Sequence, residues 1–309
     1  MELIRGLHNL RPGHRGCVAT IGNFDGVHLG HQAVIGQLAE KADTLCLPAV
    51  VITFEPQPME YFAPEKAPSR LTRFREKLQA LKRYAVNRVL CLPFNRKLAN
   101  LSYKDFIRQV LVDGLDVKYL VVGDDFRFGK NREGHFEHLV EAGKEHGFQV
   151  VNMHTFAIDD ERVSSTRIRH ALERGDMEQA EQLLGRDYRM SGRVAHGEKL
   201  GRELGFPTAN IHIHRKVSPL QGIFAVEVYG LEEEPLQGVA SIGIRPTVGG
   251  TKVILEVYLF DFNQDIYGRH LQVSFLHKIR DEEHFESLEI LKEKIAEDVV
   301  KAKEFFKNS

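Results

Sequence analysis

The chain has 309 residues, enough for two domains of ordinary size. Hydrophobic residues make up 42%, sufficient for a real core, and 42 basic residues against 43 acidic ones leave a net charge of −1, which excludes a broad surface for nucleic-acid backbone. No apolar stretch approaches the ~20 residues of a membrane helix, and residues 1–16 lack the apolar segment of a signal peptide, so a cytoplasmic protein without membrane or nucleic-acid partners is expected. Cys17, Cys46 and Cys91 lie far apart, each beside an apolar run. No C-x-x-C pair exists, which argues against zinc and thioredoxin-type sites and for buried, reduced thiols.

Along the first half, short apolar runs alternate with amphipathic ones. Strands are expected at 17–24, 47–54, 87–94, 118–123 and 148–156, and helices at 31–42, 71–84, 103–114 and 135–147. In the second of these helices Leu71, Phe74, Leu78 and Leu81 recur at helical spacing. Such alternation predicts βαβ units and a mostly parallel sheet with ligands at the carboxyl ends of its strands. Two short helices follow near 166–173 and 176–184, with Asp176 as N-cap and Gly185 as stop. Strands near 189–196, 208–214, 222–230, 236–244, 252–262 and 269–279 then succeed one another with no long helix between them. This predicts an antiparallel sheet or small barrel, closed by a helix at about 282–306. The change of period sets the expected boundary: domains 1–185 and 186–309.

The densest motif is GNFDGVHLGHQ (22–32), directly after a strand and opening a helix. Asn23, Asp25, Gly26 and Gly30 make a turn, Gly22 and Phe24 join the candidate nucleotide-binding residues of this stretch, and His28 and His31 share one face of the helix start. A helix N-terminus presents unpaired N–H groups and partial positive charge, an anion site to which two imidazoles can add hydrogen bonds. A polar turn with backbone-bonded histidines is the plainer alternative. Neither a Walker A nor a Rossmann glycine pattern is present. VSSTRIR (163–169) precedes a helix, with Ser164 and Ser165 as caps and Thr166 and Arg167 beside them. It reads equally as a simple cap. GDDFRFGKNREG (123–134) follows a strand and carries Asp125 and Arg127, which suit a flavin or nucleotide loop or an ordinary charged surface.

In the second half, GRVAHGEKLGRELGFPTANI (192–211) brings Gly197, Gly201 and Gly205 together with Lys199, Phe206 and Pro207. Glycines let backbone approach phosphate closely. Thr208 and Asn210 are two apart and share a strand face, offering hard oxygen ligands for Mg2+ held jointly with ATP phosphates. The conservative reading is a glycine-rich hairpin. Glu256 stands in ILEVYL (254–259) on the face of Ile254 and Tyr258, opposite Leu255, Val257 and Leu259. Such a carboxylate is solvated, paired or used.

HLGH after GNFDGV, with SSTR and GDDFRFG, resembles the FMN adenylyltransferase domain of bacterial FAD synthetases over residues 15–185. GFPTAN and the segments GIFAVEV, SIGIRPTVGG and LEVYLFDFNQDIYG resemble riboflavin kinase. In this order the two resemble the bifunctional riboflavin kinase/FMN adenylyltransferase family. The resemblance implies a Rossmann-like α/β nucleotidylyltransferase domain and a small Greek-key barrel. It implies riboflavin phosphorylation to FMN and FMN adenylylation to FAD, with ATP, riboflavin and FMN as substrates and Mg2+ as cofactor. By resemblance, His28 and His31 serve the adenylyl transfer, and Glu256 is the general base of the kinase. Many members carry histidine where this chain has Gln57 and where it has Tyr258. A barrel that binds flavin without phosphorylating it, a flavin-sensing module, and an HxGH ligase acting on tRNA are the competing readings. The first conflicts with the presence of Thr208, Asn210 and Glu256, and the last with the near-zero charge.

Overall fold

The computed structural model describes residues 1–123, 126–153, 156–158, 160–197, 200–215, 217–247 and 250–308. The chain divides into two compact units: Met1–Pro68 with Thr72–Ser164, and Ser69–Leu71 with Ser165–Ser309.

The first unit runs β1 (Glu2–Arg5), β2 (Cys17–Ile21), α1 (Leu29–Thr44), β3 (Ala49–Glu55), α2 (Pro58–Phe62), α3 (Phe74–Lys82) and β4 (Arg88–Pro93). It continues with α4 (Arg96–Ala99), α5 (Tyr103–Phe106), β5 (Val117–Gly123), α6 (Phe136–His146), β6 (Gln149–Met153), β7 (Ala157–Ile158) and β8 (Glu161–Arg162). The first six strands form one parallel sheet in the order β1-β4-β3-β2-β5-β6. Alternate residues feed opposite faces: Ala19, Ile21, Val50 and Ile52 join one apolar cluster, Val18, Val51, Val89 and Val121 the other. Burial on both faces explains the near-continuous apolar runs in these strands. The chain reverses its direction of travel between β2 and β5, so the crevice at the carboxyl end of β2 is a topological switch point.

Two features escape the periodicity. β1 pairs in parallel with β4 at the sheet edge, through a stretch too short and mixed to signal a strand. The helix expected over 103–114 begins as α5 and continues as a π-helix over Ile107–Val112, still burying Ile107, Val110 and Leu111. Cys17 and Cys91 are buried as expected, and burial pushes the Cys17 thiol up to about 12. Cys46 departs from that expectation: it is exposed, in the left-handed turn that follows α1.

The second unit contains α7 (Ser165–Arg174), α8 (Met177–Leu184), β9 (Tyr188–Ala195), α9 (Leu200–Glu203), β10 (Thr208–His212) and β11 (Gly222–Tyr229). Then come β12 (Leu236–Thr247), β13 (Gly250–Leu259), β14 (His270–Arg280) and α10 (Leu288–Asn308). The six strands close a barrel in the order β10-β13-β12-β11-β14-β9, antiparallel throughout. Along β11 the pleat sorts side chains. Ile223 and Ala225 join Val299, Phe305 and Phe306 of α10, while Phe224, Val226 and Val228 are buried on the opposite face. Arg280 at the end of β14 pins α10 through a two-point ion pair with Asp298, at 2.9 and 2.8 Å.

Asp176 caps α8 by accepting from the Gln179 N–H at 3.0 Å, and Gly185 ends it in the left-handed conformation, as expected. The compact units part at 164/165, ahead of the boundary expected at 185/186. The reason is that α8 packs its apolar face (Met177, Ala180, Leu183, Leu184) among barrel strands, next to β9 and β14. Ser69–Leu71 joins the same unit. Its carbonyls accept hydrogen bonds from Arg169 to Ser69, Arg215 to Arg70 and Leu71, and the Tyr188 hydroxyl to Leu71.

Candidate active sites

β2 ends at Ile21, and the turn 22–28 leads directly into α1. Phe24, Gly26 and Val27 all have positive φ, at 48°, 86° and 45°. Left-handed backbone is rare for phenylalanine and an outlier for a β-branched residue, so this turn is held by its surroundings. Gly22 packs tightly on this turn: an added Cβ would come within 3.1 Å of the Phe24 ring. His28, 5% exposed, is the N-cap of α1, its Nδ1 accepting the His31 N–H at 3.3 Å. A neutral His28 that accepts at Nδ1 carries its proton on Nε2. The two imidazoles stack, 3.6 Å between centroids and 19° between planes. Gly30 makes room for them: a Cβ there would lie 3.2 Å from the His28 ring and 3.4 Å from the carbonyl of Val163, the residue before Ser164.

His31 is held well below its ordinary value of 6.5, chiefly because it is buried and further by the positive potential of His28, Lys77 and Arg162. It is therefore neutral at physiological pH. Its Nδ1 is buried with no hydrogen-bond partner among the described residues. The same is true of Nε2 of Gln57, a side chain 7% exposed just after β3. Asp25 is 3% exposed, and its carboxylate accepts from Thr72. Asn23 and Arg127 are exposed. Ser165, Thr166 and Arg167 open α7 in the second unit, so the SSTR motif straddles the division of the chain. Asp125 lies outside the described residues.

An aromatic group near the carboxyl ends of β3 and β4 was not anticipated from the motifs. Tyr61 and Phe62 pack on Phe94 at 5.7 and 5.5 Å, and Phe62 is 62% exposed. The signal available was two adjacent aromatics after TFEPQP, on a helix of five residues.

The barrel carries the second site. Thr208, Asn210 and Glu256 line one cavity of about 710 Å3, together with Gly201, Phe206 and Tyr258. Strand register creates it: Asn210 lies opposite Glu256, and Thr208 opposite Tyr258. Directly opposed residues of an antiparallel pair share a face, with Cβ atoms about 5 Å apart. Along β13 the pleat buries Val253, Leu255, Val257 and Leu259 and leaves Ile254, Glu256 and Tyr258 half-buried. Glu256 therefore faces the cavity. Two glycines pack closely on the lining, and at Gly201 the neighbour is backbone, so glycine is required there. A Cβ at Gly197 would lie 2.3 Å from the Asn210 amide, and one at Gly201 would lie 2.5 Å from the Phe206 carbonyl oxygen. Gly205 takes φ +90°, which leads into Phe206 and the exposed Pro207. Tyr258 meets Phe206 edge to face at 5.5 Å. Lys199 lies outside the described residues. Arg280 and residues 282–288 also line it, and Arg280 sits over the Phe285 ring at 5.5 Å.

Comparison with known proteins gives two family matches, "FAD synthetase" over residues 10–167 and "Riboflavin kinase" over 184–306. The chain is 53% identical over 307 residues to the bifunctional riboflavin kinase/FMN adenylyltransferase of Escherichia coli K12, covering 99% of this chain and 98% of that one. It is 51% identical to the protein of the same description from Haemophilus influenzae, covering 99% of each. The counterpart in Pseudomonas fluorescens is 52% identical, covering 98% and 97%. A solved structure from Streptococcus pneumoniae, described as a macrolide-efflux protein, matches 96% of this chain and 97% of its own at 30% identity, with a TM-score of 0.83. Among the described residues of this chain, no helix is long and apolar enough to cross a membrane.

Proposed function

Because this chain belongs to the family of bifunctional riboflavin kinase/FMN adenylyltransferases, we propose that its barrel phosphorylates riboflavin to FMN and its α/β half adenylylates FMN to FAD. The functional boundary is taken at 185/186. The observation that carries the reading is the pairing of Glu256 with Asn210 and Thr208 around one cavity, in a chain that also holds two stacked histidines at a helix N-terminus.

In the adenylyl transfer an oxygen of the FMN phosphate attacks the α-phosphorus of ATP, and pyrophosphate leaves. A phosphate is already a nucleophile, so this half of the enzyme needs no base. It needs position and stabilised charge. The α1 N-terminus and the ring N–H groups of His28 and His31 supply donors. A neutral His31 donates without repelling the nearby cations. The turn from Gly22 to Gly26 lets the triphosphate approach backbone. Arg127 and Ser164 are assigned to nucleotide or FMN binding. The exposed ring of Phe62 offers a face for the isoalloxazine.

In the kinase reaction the terminal ribityl hydroxyl attacks the γ-phosphorus of ATP, and ADP leaves. An alcohol must lose its proton in that attack, and Glu256 accepts it or orients the hydroxyl. Thr208 and Asn210 offer two oxygen donors on one face beside that carboxylate, a set that fits Mg2+ shared with phosphates. They would hold the ion, whose chemistry is to shield phosphate charge. Gly197 and Gly201 let the chain pack closely on Asn210 and Phe206 at the cavity wall, and these glycines with Gly205 are assigned to ATP binding, while Phe206 and Pro207 border the flavin.

The test is product analysis by chromatography. Riboflavin, ATP and Mg2+ should yield FMN and then FAD, and FMN supplied with ATP should yield FAD directly. Bound flavin without turnover in either assay would overturn the reading.

A further inference from the structure

Thr72 lies 47 residues from Asp25 in sequence, and nothing in the motif 22–32 announces it as a partner. It stands just before the N-cap of α3, 7% exposed. Its backbone N–H donates to Asp25 Oδ1 at 3.0 Å, and its hydroxyl donates to the same oxygen at 3.3 Å. That hydroxyl also accepts the Gly26 N–H at 3.0 Å. One side chain thus both donates and accepts within the turn, and all three residues are buried.

The turn is the strained one. Phe24, Gly26 and Val27 have positive φ, and His28 follows as the N-cap of α1. Backbone in such conformations persists only where neighbouring structure over-determines it. The Thr72 clamp grips the turn at its centre, between the two strained non-glycine positions. A buried carboxylate also has to be hydrogen-bonded, and the two Thr72 donors meet part of that requirement.

We propose that Thr72 is a positioning residue for adenylyl transfer, holding through Asp25 and Gly26 the left-handed turn that delivers His28. Asp25 then serves the turn through its bonds to Thr72. This rests on reading 22–32 as the adenylyl site. Thr72 acts through the turn, and its loss misplaces the donors. A misplacement of about 1 Å at a reacting centre can cost roughly 100-fold in rate.

The experiment compares T72V and T72S in the full chain. Valine keeps the shape and removes the hydroxyl, while serine keeps the hydroxyl and removes the methyl. FAD formation from FMN and ATP is followed for kcat and KM. FMN formation from riboflavin in the same preparation, with a thermal melt, reports folding. T72V should lose roughly 100-fold in kcat for FAD at a KM for FMN near that of the parent, with FMN formation intact. T72S should keep most of the parent FAD rate. A packing role makes the opposite demand: T72V tolerated and T72S impaired. Either of those results overturns the proposal. If T72V fails to fold, T72A removes the hydroxyl without pressing a second methyl on Asp25, and a parent-like FAD rate there overturns it equally. A parent enzyme that makes no FAD sinks the site reading itself, a result separable from any difference among variants.

Discussion

The α/β unit gathers the groups proposed to face phosphate where one strand gives way to one helix, whereas the barrel spreads its proposed site groups along two paired strands. In the first, Gly22 to His31 is a single contiguous stretch, and a stacked histidine pair stands at a helix N-terminus. In the second, Asn210 and Glu256 come from β10 and β13 and meet only because the strands pair in one register. The chemistry explains the contrast. A phosphate nucleophile asks for donors, which a helix N-terminus supplies in bulk. An alcohol nucleophile asks for a carboxylate and metal-binding oxygens together, and a pleated face can set these opposite one another. The strain also differs. The contiguous site depends on positive φ at Phe24 and Val27, while in the stretch 200–210 beside the barrel cavity the positive φ falls on a glycine, Gly205.

The comparison breaks most sharply at Glu256. Replacing it with glutamine keeps the size and removes the proposed base, and FMN formation from riboflavin should fall by about 100- to 10,000-fold. FAD formation from added FMN should stay at the parent rate. Kinase activity at the parent level would make Glu256 a bystander on a strand face. The mirror experiment is His28→Ala or His31→Ala. Loss of one preorganised donor costs roughly 100- to 1,000-fold, so FAD formation should collapse while FMN formation persists. Normal FAD rates in both variants would remove the histidines from the reaction.

Smaller effects sharpen the picture. Phe62→Ala should raise KM for FMN by roughly 3- to 10-fold, the value of one aromatic stacking partner, with kcat and the kinase KM for riboflavin unmoved. An unchanged KM for FMN would dissociate the exposed ring from flavin binding. The smallest effect is on stability against pH. His31 is held well below 6.5 by burial and neighbouring positive charge, so the unfolded chain takes up a proton there that the folded chain refuses. Its contribution to stability is intact above about 6.5 and is lost as pH falls below it. Urea unfolding of the α/β unit should therefore weaken on acidification more steeply in the parent than in His31→Gln. Equal slopes in the two proteins would show that the imidazole is not held neutral.

Legibility in the sequence followed the range of the interactions. α1, α6 and α8 were readable because periodicity and caps are local, and Asp176 and Gly185 stand at the cap positions expected of them. The helix expected to open near 282 begins at Leu288, because residues 281–287 are not helical and most of them line the barrel cavity. The edge strand β1 gave no pattern, since four residues paired on one side carry too little periodicity.

From its order of residues alone this chain determines a parallel α/β half, a strand-only half with a closing helix, and the local motifs of both sites. Those depend on spacing of two to four residues, which backbone geometry converts directly into a face or a cap. Tertiary structure decided the rest. It set Glu256 opposite Asn210, gave Ser69–Leu71 and α7–α8 to the barrel unit, and brought Thr72 onto Asp25. Each of these joins segments distant in the chain, through strand register or through a buried group that must find its hydrogen-bond partner wherever the fold provides one.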